Sequence, residues 1–262
     1  MVTSVEPGST VPSAFRLDEQ LALVTGGGTG LGFAICQALT EAGARIVMTG
    51  RREDMLKQTC DQLGGAAQYI RHDVADLASI PMLVEQIEGH FGPLDILVNN
   101  AGNHLKKPAV ETSDAEFASI VHTHLFGSYV LSRECGRRMI ARRRGSIVMI
   151  VSMASLFGIP QVSAYTAAKS AMAGLTRALT VEFAPSGVRV NAIAPGWFDT
   201  HLSHSAFEGD PDRKRRILER TPMGILGDPI DVGYAAVYLS SPAAKFVTGV
   251  VLPIDGGASI GF

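Results

Sequence analysis

The sequence predicts an α/β fold: a parallel sheet of seven strands, doubly wound by helices on both faces, in a single domain. Two observations carry that expectation. Apolar runs short enough for buried strands recur at residues 21–25, 45–49, 67–71, 96–99, 146–151, 189–194 and 250–254, and helical patterns separate nearly all of them. Such alternation builds parallel strands whose intervening helices cover both faces of the sheet. The second observation is a glycine run, Thr25-Gly26-Gly27-Gly28-Thr29-Gly30-Leu31-Gly32, placed directly between the first strand and an amphipathic helical stretch. A length of 262 residues allows two domains, but the alternation runs unbroken and favours one.

Each element has its own justification. Residues 1–14 carry Ser, Thr, Pro and Gly without periodicity and are expected to form a flexible tail, with the folded domain over 15–262. No basic segment followed by an apolar stretch and a cleavage site is seen at the start, and no uncharged apolar run is long enough for a bilayer. The expected location is therefore cytoplasmic, with no membrane partner. In the glycine run, Gly26, Gly30 and Gly32 let the backbone turn tightly and approach a pyrophosphate, while free amides at the following helix start bind the anion. That helix, opening at Leu31, is expected to end near Ala42-Gly43.

The second strand closes on Met48-Thr49-Gly50-Arg51-Arg52. An acidic residue at such a strand end binds a ribose diol and repels a 2′-phosphate. Gly50 leaves that place uncharged, and Arg51 can pair with a phosphate. NADP(H) is the expected cofactor, with NAD(H) possible; adenine stacking without phosphate selectivity is the alternative for Arg51.

Tyr165-x-x-x-Lys169, with Ser152 thirteen residues upstream, points to the chemistry. Residues four apart share a helix face, and the Ala- and Leu-rich stretch 164–184, stopped by Pro185-Ser186-Gly187, reads as that helix. A neighbouring ammonium is expected to lower the phenol pKa toward the operating range of a general acid or base. Ser152 would hold a carbonyl oxygen against Tyr165. Taken alone, Tyr-x-x-x-Lys also describes a half-buried ring beside a solvated charge; the glycine run gives it its meaning.

Charge and cysteine content exclude other classes. A net charge of −2 gives no reason for a nucleic-acid partner. The basic clusters at Arg137 to Arg144 and Arg213 to Arg216 read as a solvated helix end and an exposed helix face. Cys36, Cys60 and Cys135 have no metal-like spacing and read as free thiols in a reducing compartment; no metal is expected.

In order along the chain, TGGGTGLG, Asp73-Val74, Asn99-Asn100-Ala101-Gly102, Ser152, Tyr165-x-x-x-Lys169, and Pro195-Gly196 with Thr200 fit one pattern. From about Phe15 to the end the chain resembles the short-chain dehydrogenase/reductase family, whose sheet is of the Rossmann type. The resemblance implies hydride transfer between a nicotinamide cofactor and a secondary alcohol or ketone. It assigns Gly26, Gly28, Thr29, Gly30, Leu31 and Gly32 to the cofactor phosphates, Asp73 and Val74 to the adenine, and Asn100, Ala101 and Gly102 to the adenosine ribose. Tyr165, Lys169, Pro195, Gly196, Phe198 and Thr200 would also touch the cofactor, the last two near the nicotinamide. Thr29 departs from relatives that use NADP through Arg or Lys at that position. A second departure is His124-Leu125-Phe126-Gly127, where His124 takes the place of a family Asn that holds a water connecting Lys to solvent. His124 is a candidate replacement in this proton relay, able to titrate near neutral pH; a neutral core histidine is the other reading.

The resemblance places the substrate loop at about 197–226, with Trp197, Phe198, His201, His204, Phe207 and Met223. His104, Lys106 and Lys107, after the Asn-Asn-Ala-Gly turn, offer polar contacts and favour a sugar acid or polyol; solvated loop residues are the alternative. A 3-oxoacyl-thioester reductase, docking an acyl carrier through Arg137 to Arg144, is the competing enzyme, and a non-catalytic dinucleotide-binding redox sensor the competing class. Relatives also imply a homotetramer, in which the segment 258–262 reaches a neighbour.

Overall fold

The computed structural model describes residues 12–200 and 211–261. Its strands are β1 (Leu21–Thr25), β2 (Arg45–Gly50), β3 (Ala67–Arg71), β4 (Leu94–Asn99), β5 (Gly145–Ile150), β6 (Val188–Pro195) and β7 (Val251–Ile254). They form one sheet in the order β3-β2-β1-β4-β5-β6-β7, and every neighbouring pair is parallel. The seven-stranded parallel sheet expected from the sequence is therefore present, with each strand boundary within two residues of the reading.

Successive side chains of a strand point to opposite faces, and here both faces are apolar. Leu21, Leu23, Val47, Leu97, Ile147 and Met149 belong to one core; Ala22, Val24, Ile46, Met48, Val98 and Val148 belong to the other. The first core is closed by α3 (Ile80–Phe91), α5 (Gly127–Arg142) and α6 (Ser163–Phe183). The second is closed by α1 (Gly30–Glu41), α2 (Glu53–Leu63) and α8 (Pro229–Ser240). Two cores back to back explain why the strands read as continuous apolar runs rather than alternating ones.

The longest helical feature is composite. Helix α4 (Asp114–Val121), opened by a Ser113–Glu116 capping box, passes through a π-helical turn at His122–Phe126 into α5. Gly127 stands where a Cβ would lie 2.8 Å from the Val74 carbonyl oxygen, so the helix can cross the turn after β3 this closely only with glycine there. The remaining helix, α7 (Pro211–Arg220), precedes α8.

At the N-terminus Ser13–Phe15 forms one 3-10 turn. The rest of the expected tail, residues 1–11, lies outside the described residues, as do His201, His204 and Phe207 of the expected substrate loop and the terminal Phe262. Among the described residues no helix is long and apolar enough to cross a membrane.

Candidate active site

The strand order reverses between β1 and β4, which opens a crevice at the carboxyl ends of the strands. The glycine loop leaves β1 there. Gly26 and Gly30 hold φ of 68° and 56°, in the left-handed region that favours glycine. A Cβ on Gly32 would lie 2.0 Å from the Gly26 carbonyl oxygen, so the loop folds back on the first turn of α1. A Cβ on Gly28 would meet Leu56 at 3.3 Å. Such close backbone packing fits a dinucleotide pyrophosphate laid over the start of α1.

The loop is pinned from β4. Thr25 Oγ1 accepts from the amides of Asn100 and Ala101, both at 3.0 Å. The Asn100 side-chain amide donates to the carbonyl oxygens of Thr25 at 2.9 Å and Gly26 at 3.2 Å. Asn100 therefore stabilises the glycine loop directly, and Thr25 is a site residue whose role sequence reasoning missed. Its signal was the threonine that opens the glycine motif.

Around the expected adenine position, Asp73 is exposed and accepts from the Ala75 amide at 3.0 Å, while Val74 is buried in the first core. Arg51 is exposed at the end of β2. On the other side, Pro195 ends β6, and a Cβ on Gly196 would meet Asp255 Cα at 2.7 Å. Phe198 is buried against Gly227. Thr200 and Gly30 share a cavity of about 250 Å³ with Phe33, Asp199 and Asp228, so the glycine loop and the segment after β6 face one space.

The proton-transfer candidates converge on the other flank. Ser152 follows β5 and is 8% exposed; Tyr165 and Lys169 lie on the first turns of α6. A hydrogen bond from Ser152 draws the Tyr165 phenol downward in pKa, but burial outweighs it and the net direction is upward. The expected depression of Tyr165 by Lys169 is thus not met. The physical reason is that Lys169 is itself only 3% exposed, and burial lowers it to about 7, so near neutral pH its charge is partial. Its Nζ lies 5.5 Å from the Tyr165 ring centroid and donates to the Ile150 carbonyl oxygen at 2.6 Å.

His124 sits in the π-helical turn and is 2% exposed. Its ring meets the Tyr165 ring edge-to-face at 5.3 Å between centroids. Nε2 lies 2.8 Å from the Asn103 carbonyl oxygen and 3.3 Å from the Asn103 amide; the shorter contact favours a proton on Nε2, which leaves Nδ1 as an acceptor. Nδ1 is buried with no partner among the described residues. Burial first, then the nearby Lys169 charge, holds the pKa down at about 3. Of the two readings of His124, titration near neutral pH and a neutral core imidazole, its burial favours the second. Gly102 is its counterpart, since a Cβ there would lie 2.1 Å from His124 Cε1.

His104 also meets the Tyr165 ring edge-to-face, at 5.4 Å, from an exposed position. Lys107 is drawn elsewhere: its ammonium pairs with Glu116 at 3.0 Å. Lys106 is exposed. His122 faces away, its Nε2 2.9 Å from the Ala75 carbonyl oxygen. The cluster expected to be a solvated helix end is an ion-pair network: Arg138 and Arg142 reach Glu88 at 3.3 and 2.9 Å, and Arg144 Nε reaches Asp95 at 2.9 Å. Those carboxylates lie on α3 and β4, too far along the sequence for the pattern to reveal them. Arg215 pairs with Asp212 at 3.1 Å on an exposed face, as expected. Cys36, Cys60 and Cys135 are free, and burial raises all three thiols.

A pinned glycine loop beside a Ser, Tyr and Lys cluster is the site of a nicotinamide-dependent oxidoreductase, and known proteins agree. A family model described as enoyl-(acyl carrier protein) reductase matches residues 26–259. Galactitol 2-dehydrogenase (L-tagatose-forming) of Cereibacter sphaeroides is 40% identical, over 95% of this chain and 98% of the relative. The 3-oxoacyl-(acyl-carrier-protein) reductase of Escherichia coli (strain K12) is 34% identical, over 92% of this chain and 98% of its own. A crystal structure of a putative NAD(P)-dependent gluconate 5-dehydrogenase from Beutenbergia cavernae, with bound NADP at low occupancy, superposes with a TM-score of 0.89 at 40% identity, covering 94% of this chain and 98% of that one. The chain belongs to the short-chain dehydrogenase/reductase family.

Proposed function

We propose that this enzyme interconverts a secondary alcohol and a ketone on a sugar acid or polyol, with NADP(H) preferred over NAD(H). The observation that carries the reaction is the Ser152–Tyr165–Lys169 cluster beside the glycine loop. A bound nicotinamide supplies or accepts the hydride. In the reducing direction the Tyr165 phenol gives its proton to the carbonyl oxygen, and Ser152 donates a hydrogen bond to that oxygen. Lys169, with a pKa of about 7, both gains and loses a proton at working pH and so resupplies the phenol. His124 serves as a neutral member of this relay, its bare Nδ1 accepting from a water beside Lys169.

The adenosine end is assigned to Arg51, Asp73 and Val74, and the nicotinamide end to Pro195, Gly196, Phe198 and Thr200. Gly50 at the end of β2 supports NADP(H), because no carboxylate stands there to repel a 2′-phosphate. Exposed His104 beside Tyr165 supports a hydroxyl-rich substrate, and the polyol and sugar-acid relatives support the same class. The 3-oxoacyl reductase relative keeps the thioester reading as the second one. Against it, much of the basic cluster at 137–144 is already paired with Glu88, Asp95 and Glu134.

Residues 15–262 act as the catalytic domain, with 197–226 as the substrate loop. The working assembly is a cytoplasmic homotetramer. Exposed large apolar side chains support it, among them Phe117, Phe126 and Tyr129 on the composite helix and Tyr234, Phe246 and Ile260 toward the C-terminus. Free thiols support the reducing compartment.

The test follows nicotinamide absorbance with each cofactor against sugar acids, polyols, simple secondary alcohols and 3-oxoacyl thioesters. Turnover confined to the first two classes, with NADP(H) favoured, is the expected result. Turnover of thioesters alone overturns the substrate assignment. Sedimentation as a monomer overturns the assembly.

A further inference from the structure

Arg220, the last residue of α7, is held by two segments far from it in sequence. Its guanidinium carbon lies over the Phe157 ring, 4.2 Å from the centroid, where the ring quadrupole attracts a cation. Its Nε donates to the Ala258 carbonyl oxygen at 3.2 Å. Ala258 is fully buried in the turn after β7. That turn is itself fixed, because the Asp255 carboxylate accepts from the Gly257 and Ser259 amides, both at 2.9 Å. Arg215, on the same helix, pairs with Asp212 and Glu219, whereas Arg220 forms no ion pair among the described residues. A cation at a helix C-terminus complements the dipole, but that alone needs neither the ring nor the buried carbonyl.

Phe157 connects this contact to the proton-transfer site. It closes a short turn that Ser152 opens. The Ser155 amide donates to the Ser152 carbonyl oxygen at 2.9 Å, and the Leu156 and Phe157 amides donate to that of Met153 at 2.8 and 3.2 Å. Ser152 Oγ accepts from the Ala154 amide at 3.1 Å, and Ser155 Oγ donates to the Ser152 carbonyl oxygen at 2.6 Å. Residues 152–157 are therefore one hydrogen-bonded unit, with the Ser152 hydroxyl at one end and the Phe157 ring at the other. Holding the ring restrains the unit from its far end. The direction of the Ser152 hydroxyl decides whether it meets a substrate oxygen, and small misplacements of such a group are costly.

We propose that Arg220 is a positioning residue: through Phe157 it braces the turn that carries Ser152 against the buried turn after β7. This rests on the role of Ser152 proposed above. Arg220 itself stays outside the reacting atoms, and its effect on them passes through Ser152.

Amide hydrogen exchange, read by mass spectrometry on the full chain, tests the brace directly. Arg220→Met keeps an unbranched stem but no cation. In it the bonded amides of residues 154–157 should exchange about tenfold faster, while those of β1 and β4 keep their wild-type rates. Kinetics test the consequence, with galactitol and gluconate as probes. Arg220→Met and Phe157→Leu should each lower kcat about tenfold and leave NADP+ affinity unchanged. The double variant should be no slower than either single one, and Arg220→Lys should recover most of the loss. On a Ser152→Ala background, Arg220→Met should cost nothing further, whereas general destabilisation would cost the same on both backgrounds. Unchanged exchange over 154–157, or the full loss repeated in Ser152→Ala, overturns the inference. If wild-type protein oxidises neither probe, the substrate reading falls by itself, and hydrogen exchange still decides for or against the brace.

Discussion

The two flanks of the crevice are built on opposite principles. On the β1–β2 flank the groups proposed for cofactor binding are backbone atoms and an exposed guanidinium group, Gly26 to Gly32 with Arg51. On the β4–β5 flank stand ionisable side chains taken out of water: Lys169 and His124 are 3% and 2% exposed. The first flank offers solvated cations and backbone amides. The second creates reactivity by desolvation, which displaces the Lys169 and His124 pKa values to about 7 and about 3. Binding and proton transfer are therefore separable, and substitutions on each flank should show it.

The most severe break is expected on the reactive flank. Tyr165→Phe removes the proton donor and should lower kcat by about a thousandfold while cofactor affinity, read by calorimetry, stays near wild type. Wild-type turnover in this variant would refute the mechanism. Next comes the binding flank. Gly32→Ala forces a Cβ to within 2.0 Å of the Gly26 oxygen and should weaken cofactor binding by on the order of a hundredfold, about 2.7 kcal/mol. An unaltered dissociation constant would mean that the loop rearranges without cost.

Lys169 gives a smaller, pH-resolved effect. Its folded pKa of about 7 lies below the ordinary 10.5. Between those values the unfolded chain holds a proton that the folded chain has released, so stability rises with pH by up to about 1.4 kcal/mol per unit. Below about pH 7 both states are protonated and the slope disappears. Urea unfolding at pH 6.5 and pH 9 should show wild type gaining on Lys169→Met; parallel curves would mean that the ammonium is not desolvated.

The mildest change is His124→Asn, expected to alter kcat by less than about tenfold. Because the imidazole is neutral down to about pH 3, the acid limb of the rate profile should not move. A limb near pH 6.5 that disappears in this variant would show that His124 titrates during turnover.

How far the sequence could be read follows the same division. The inner strands β1, β4 and β5 are legible because each is buried and almost wholly apolar on both faces, and Gly26, Gly30 and Gly32 are legible because their backbone geometry disfavours other residues. β4 begins two residues before the expected 96, since Asp95 looks like a loop residue until its contacts with the Leu21 amide and Arg144 are seen. The π-helical turn around His124 has no periodicity of its own. The neutrality of His124 depends on Tyr165 and Gly102 closing over it, and the Arg220–Phe157 contact on two segments meeting in space. Elements set by local pattern could be read; properties set by what surrounds a side chain could not.

The strand order also has a consequence for how the chain comes together. β1 lies between β2 and β4, and the Leu21 amide finds the Asp95 carboxylate 74 residues downstream. During synthesis or refolding, β1 can pair early on one side only; its other edge stays bare until β4 arrives. Closing so long a loop is slow relative to local pairing. A fragment ending before residue 94 should keep this apolar edge open and self-associate, whereas one extending through β4 and β5 covers it. The reversal that opens the crevice for the cofactor is thus also the point at which the unfinished chain is most prone to aggregate.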